Sequence, residues 1–186
     1  QVYKELKILS ARPLKKDRHD IKHHLYGFLS VKKNFSTGEW FKLVNQTVAK
    51  INKRKKIPIL VGGTGLYFKA LTDGLVNIPN IPLKFRHQVR TLHSKIGQKK
   101  FYLKLIKKDP ISKKYINPSD TQRSIRAYEI KEFSKKSMFE WFKSTKPKYD
   151  KKDFYKIYID FPRNELLQRI TVRAQEMIQK GAVQEV

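Results

Sequence analysis

Three groups of residues have side chains and spacings that could do chemistry. The first is the turn Gly62, Gly63, Thr64, Gly65, set inside residues 57–71, IPILVGGTGLYFKAL. An apolar, β-prone run (Ile57, Ile59, Leu60, Val61) enters it, and a helix-compatible segment (Leu66, Tyr67, Phe68, Leu71) leaves it. A helix starting at such a turn aims free N–H groups and its positive dipole end at whatever lies in front, which suits an anionic ligand. Glycines let the backbone come close to a ligand, and Thr64 leaves one hydroxyl in the turn. The turn fits neither G-x-G-x-x-G nor the lysine-bearing phosphate loop. Taken alone, it is also consistent with a tight turn that holds nothing.

The second group lies in residues 117–130, NPSDTQRSIRAYEI. Ser119 or Asp120 can cap a helix there, which stacks Gln122 and Arg126 on one face at i, i+4 with Arg123 beside them. An amide and two guanidiniums on one face suit hydrogen bonding to bases and phosphates, although an isolated Q-R-x-x-R reads equally as a solvated face. The third group is Arg169 and Arg173, one turn apart along the edge of a helix that begins after Asp160, Phe161 and Pro162. Either an anion or an acidic neighbour would satisfy them. His23 and His24 are adjacent, and in a strand they point to opposite faces, so no shared metal ion is expected.

The elements that must position these residues follow from periodicity. Residues 35–56 read as an amphipathic helix: Ser36 and Glu39 form a capping box, and Trp40, Val44, Val48 and Ile51 recur at helical spacing. Helix, strand and glycine turn in that order predict an α/β fold with a parallel sheet flanked by helices. A second strand is expected around Phe154, Ile157, Tyr158 and Ile159, followed by a helix whose buried stripe is Leu166, Leu167, Ile170, Ala174, Met177 and Ile178. Between the two, residues 83–148 show no strand pattern. Helices are predicted over 85–93, 98–107, 121–133 and 138–142, punctuated by Asp109-Pro110 and Asn117-Pro118. The organisation expected is a partial α/β core over 1–77, a lysine-rich helical insertion over 78–152, and a return to the core over 153–186.

Composition narrows the partner. The 186 residues hold 42 Lys and Arg against 16 Asp and Glu, a net charge of +26, far beyond what solubility needs, and a polyanion is its natural counterpart. Lysine far outnumbers arginine, which compositional bias alone would also produce. The absence of cysteine excludes a disulfide framework and a thiolate metal site. No apolar run is long enough to span a membrane and no signal-peptide pattern opens the chain, so no membrane role is expected. Gln1 opens the chain inside what reads as a strand exit, and Val186 ends it in an uncapped helical pattern, so both ends are expected to be cut.

The wording of four stretches resembles the tRNA dimethylallyltransferases, also called tRNA isopentenyltransferases. VGGTGLYFKAL followed by Asp73, Gly74 and Leu75 resembles their signature. Gln1, Val2, Tyr3, Lys4, then Ala11, Arg12, Pro13 and His23, His24, Leu25 follow their opening words, with Lys22 where the family has proline. Residues 117–130 resemble His-Pro-Asn-Asp-x-Gln-Arg-x-x-Arg-Ala-Leu-Glu-Val, with Asn117 for His and Ser119 for Asn. Arg169, Arg173, Met177, Gly181, Glu185 and Val186 resemble the last stretch.

The resemblance implies a P-loop-NTPase-like α/β fold with an inserted helical tRNA-binding subdomain. It implies transfer of a dimethylallyl group from dimethylallyl diphosphate to N6 of the adenine 3′ to the anticodon, with Mg²⁺ as cofactor in the full-length enzyme and the tRNA anticodon stem-loop as partner. It also implies a cytoplasmic monomer. Gln1 and Thr64 would line the adenine pocket. Arg86, Gln122, Arg123, Ser124, Ile125 and Arg126 would contact tRNA, and Arg173 would hold the leaving diphosphate, with Thr64 and Arg173 as the catalytic pair. The general base and the nucleotide-binding phosphate loop would lie upstream of Gln1, leaving this stretch inactive by itself. Two other readings compete: a P-loop-type small-molecule kinase or transferase, which has no use for Q-R-x-x-R on a basic insertion, and a basic RNA-binding module, which has no use for G-G-T-G-L-Y.

Overall fold

The computed structural model describes residues 1–186, the side chain of Lys15 excepted. Among the described residues seven α-helices run in order: α1 (Thr37–Lys53), α2 (Gly65–Thr72), α3 (Leu83–Lys108), α4 (Ser112–Tyr115), α5 (Thr121–Ser134), α6 (Met138–Lys143) and α7 (Arg163–Gln179), with 3₁₀ turns at Lys15–Arg18 and Lys151–Asp153. The expected parallel sheet is absent among the described residues. Among the described residues the one β-type pairing is an isolated parallel bridge between Tyr3 and Leu29.

The two runs expected as core strands stand in solvent instead: Ile57, Ile59 and Val61 are 80% or more exposed, as are Tyr158 and Ile159. β-branched and aromatic residues report a fit to a pleated surface, whereas a strand exists only where a second strand completes its ladder of hydrogen bonds. Neither run finds such a neighbour among these residues. The stripe expected to be buried on α7 is likewise open, with Leu166, Leu167, Ile170 and Ile178 all exposed, because an amphipathic face becomes a core only against an apolar surface.

Two compact units divide the chain: one of Gln1–Phe68 with Asp150–Val186, the other of Lys69–Tyr149. In the first, Ser36 accepts from the Glu39 N–H while Glu39 accepts from the Ser36 N–H at 2.8 Å, so α1 begins on the capping box that the sequence carries. Trp40 of α1 stacks on Tyr67 with ring centroids 4.3 Å apart and planes 6° apart. Glu185 accepts from the backbone N–H groups of Lys7, Ile8 and Leu9.

The second unit has its own apolar core. Phe101, Leu105, Ala127 and Ile130 are fully buried, with Ile81, Val89, Tyr102, Ile116, Tyr128 and Met138 around them. Burying each large side chain contributes about 1.5–3 kcal/mol, and the contact of α3 with α5 collects most of them. Gly97, at φ 73°, interrupts α3 between the two helices that the sequence predicts for 85–93 and 98–107. Asp109 ends α3 and is buried, its Oδ2 accepting from Ser112 Oγ at 2.9 Å and from Ser137 Oγ at 2.8 Å. Gly74 sits at φ 93° with the Lys146 carbonyl so near that an added Cβ would lie 2.7 Å from its oxygen. No helix among the described residues is long and apolar enough to cross a membrane.

Candidate nucleic-acid interface and glycine turn

In residues 117–130 the Asn117 side chain folds the approach, its Oδ1 accepting from the N–H and Oγ of Ser119. Asp120 then takes the N-cap, accepting from the Arg123 N–H at 3.0 Å with one oxygen and from the Arg123 guanidinium at 3.0 Å with the other. That carboxylate starts α5 and holds the base of an arginine whose side chain is otherwise 72% exposed. Gln122 and Arg123 face outward. Ser124 is fully buried and accepts from Gln98 Nε2 at 3.2 Å, while Ile125 packs against the α3–α5 core. Of the five consecutive residues, Gln122, Arg123 and Arg126 present polar groups to the surface, and Ser124 and Ile125 anchor the helix beneath them.

Arg126 is half-buried, and its Nη1 donates to Glu129 Oε2 at 3.2 Å. Glu129 is 2% exposed, and its other oxygen, 3.9 Å from Arg90 Nε, has no hydrogen-bond partner. Arg86, in the first turn of α3, has its Nε buried and likewise unpartnered. Sequence reasoning missed Arg90 and Glu129. The signal for Glu129 was present: it lies inside Ala127, Tyr128, Ile130, an otherwise apolar run in which an acid must be paired.

The glycine turn leads into a helix as its spacing predicts, without the strand expected before it: Thr64 offers its carbonyl to the N–H groups of Tyr67 and Phe68, and α2 starts at Gly65. Thr64 and its neighbouring glycines are solvent-exposed, so the hydroxyl and the first N–H groups of α2 are open to a ligand. Burial and then the nearby Tyr3 push the Tyr67 hydroxyl's pKa above its ordinary value. Gln1 turns its amide back to the carbonyls of Ser10 and Ala11, at 2.9 Å each. Arg173 lies on an open face of α7 with Gln168, Arg169, Val172 and Glu176, and the Arg169 guanidinium covers the Phe161 ring at 4.1 Å.

His23 Nδ1 meets the Ile21 carbonyl at 2.8 Å. His24 has its pKa lowered by burial and then by the charges of Lys22, Arg54 and His23. Among the described residues no three His, Cys, Asp or Glu side chains gather as a metal site.

A family model described as IPP transferase matches residues 1–186. The tRNA dimethylallyltransferase of Pelagibacter ubique (strain HTCC1062) is 54% identical over 186 residues, covering all of this chain and 59% of that protein. That of Rickettsia massiliae (strain Mtu5) is 41% identical over 189 residues, covering all of this chain and 52% of that protein. The chain thus spans little more than half the length of these relatives. Among solved structures, a eukaryotic dimethylallyltransferase acting on tRNA is 26% identical with a TM-score of 0.82, over all of this chain and 46% of that one. The full-length tRNA isopentenylpyrophosphate transferase of Bacillus halodurans is 27% identical with a TM-score of 0.59, over all of this chain and 57% of that one.

Proposed function

Because the chain belongs to the IPP transferase family, we propose that the protein transfers a dimethylallyl group from dimethylallyl diphosphate to N6 of the adenine 3′ to the anticodon of tRNA. The N6 nitrogen attacks C1 of the donor, the C1–O bond breaks, diphosphate leaves with the bonding pair, and N6 gives up one proton. Gln1 and Thr64 line the pocket that receives the adenine, which an anticodon loop can turn out of its stack at little cost. Arg173 neutralises the departing diphosphate. Arg86, Gln122, Arg123 and Arg126 hold the RNA, while Ser124 and Ile125 fix the helix that carries them. The protein acts as a monomer in the cytoplasm.

The observation that carries this reading is the pairing of a whole-chain family match with α5, which aims Gln122, Arg123 and Arg126 outward from a packed, basic helical unit. The resemblance puts the acid that takes the N6 proton outside these 186 residues, and on that reading the stretch is inactive alone. The test is nucleoside analysis of tRNA after incubation with dimethylallyl diphosphate. The whole protein should yield the N6-prenylated adenosine and the 186-residue chain none. Prenylation by the 186-residue chain would overturn the assignment of the base to other segments, and absence of transfer by the whole protein would overturn the function.

A further inference from the structure

We infer that Glu129 is a positioning residue for RNA binding: from beneath the surface it holds the guanidiniums of Arg126 on α5 and Arg90 on α3 as a paired clamp for a phosphodiester. The inference rests on the reading of α5 as the RNA-facing helix. Glu129 is 2% exposed, and the residues on either side of it, Tyr128 and Ile130, are buried core. A carboxylate there is tolerated only where cations compensate it. It has two, each on a different oxygen: Arg126 Nη1 at 3.2 Å from Oε2, and Arg90 Nε at 3.9 Å from Oε1.

Neither arginine is consumed by this pairing. A guanidinium has five N–H donors, and the contact given by Arg126 uses one of them. Arg90 is 69% exposed and stands beyond hydrogen-bond distance of the carboxylate. Its remaining donors face solvent. Arg86, one turn before Arg90 on α3, has a buried Nε with no hydrogen-bond partner. The two arginines on one buried acid leave a net charge of +1, so the pair still attracts an anion after Glu129 is counted. The role of the acid is to fix the geometry, because a guanidinium already held in place gives up less rotamer freedom when it binds.

This role has an unusual sign. Removing an acid near a bound polyanion ordinarily tightens binding, since one repulsive charge disappears. Loss of Glu129 should do the opposite.

The experiment is binding of the 186-residue chain to an anticodon stem-loop RNA across a salt series, with thermal melting followed in parallel. Glu129→Gln is expected to weaken binding about three- to tenfold, the scale of freeing one or two side chains. Asp20→Asn, the loss of an exposed acid, should leave binding equal or slightly tighter. Glu129→Asp keeps the charge but draws it back by one methylene, and it should weaken binding too, which keeps the test open if the glutamine variant fails to fold. In an Arg90→Ala, Arg126→Ala background Glu129→Gln should cost nothing further. Equal or tighter binding by both Glu129 variants, or a loss that simply adds to that of the arginine variants, overturns the clamp while leaving the RNA-facing reading of α5 intact. Binding that neither arginine variant weakens overturns that reading and the clamp with it.

Discussion

The Glu185 carboxylate accepts from the Ile8 backbone N–H at 2.8 Å, closing a span of 177 residues within the unit formed by Gln1–Phe68 and Asp150–Val186. Lys7 and Leu9 donate to the same carboxylate, so three successive N–H groups converge on one charge. Burial alone would raise the pKa of Glu185. The N–H groups of Leu9, Ile8 and Lys7, with Arg12 nearby, outweigh it, and the pKa falls below its ordinary 4.5. A depressed folded-state pKa means that the contribution is present above the unfolded value and lost as pH falls through the folded one. Protection of the Ile8 and Leu9 amides, taken relative to the intrinsic exchange rate at each pH, should therefore be high at neutral pH and be lost only below about pH 4.5. In Glu185→Gln that protection should be reduced at both pH values.

Gly74 is held by its surroundings as well as by its dihedral. At φ 93° an L side chain is strained, and a Cβ would lie 2.7 Å from the Lys146 carbonyl oxygen and 2.9 Å from the Thr145 methyl. Gly74→Ala should lower stability by about 1–3 kcal/mol, read as a shift in the urea midpoint. Gly63, where an added Cβ meets nothing within 4 Å, should accept alanine with a smaller change.

Leu105 is fully buried in the α3–α5 core. Leu105→Ala removes its contacts and leaves a cavity, at a cost of about 2–5 kcal/mol. Because Lys69–Tyr149 is a compact unit with its own core, loss of helical circular dichroism should follow from this one change. Leu103, two residues earlier and 56% exposed, is the control, and its alanine variant should melt close to the parent.

Arg123 offers a separate test of the RNA surface. Its side chain is 72% exposed and pairs with Asp120, so in the proposed interface it would act through its charge. If it neutralises one phosphate of the loop, Arg123→Ala should lower the slope of log affinity against log salt by about 0.7. An unchanged slope would remove Arg123 from the interface.

How much of this was legible in the sequence depended on the range of the interactions. The capping box of α1, the Asp120 cap of α5 and the break in α3 are local and were readable, because each is decided within a few residues. The turn around Thr64 was readable for the same reason. The sheet was not. Ile57 to Val61 and Ile157 to Ile159 have strand composition, yet pairing is a property of two segments, and no partner lies beside either run among the described residues. The α7 stripe failed in the same way, since amphipathicity shows that a face is apolar without showing what covers it. At the candidate interface the outward polar residues were readable from helical spacing. The pairing of Glu129 with Arg90 joins two helices 39 positions apart in sequence, which no single-helix pattern contains.

Asp109 has a consequence for how the helical unit opens. Its backbone N–H closes the end of α3 on the Leu105 carbonyl, and its one carboxylate takes the Ser112 hydroxyl at the start of α4 and the hydroxyl of Ser137, the N-cap of α6, 28 residues further on. Three helix ends therefore meet at a single buried charge, and none can fray without exposing a half-satisfied carboxylate to apolar surroundings. Local fraying, which usually lets each helix end exchange its amides at its own rate, is suppressed here. The end of α3, α4 and the first turn of α6 should release their amide protons together, as one cooperative block.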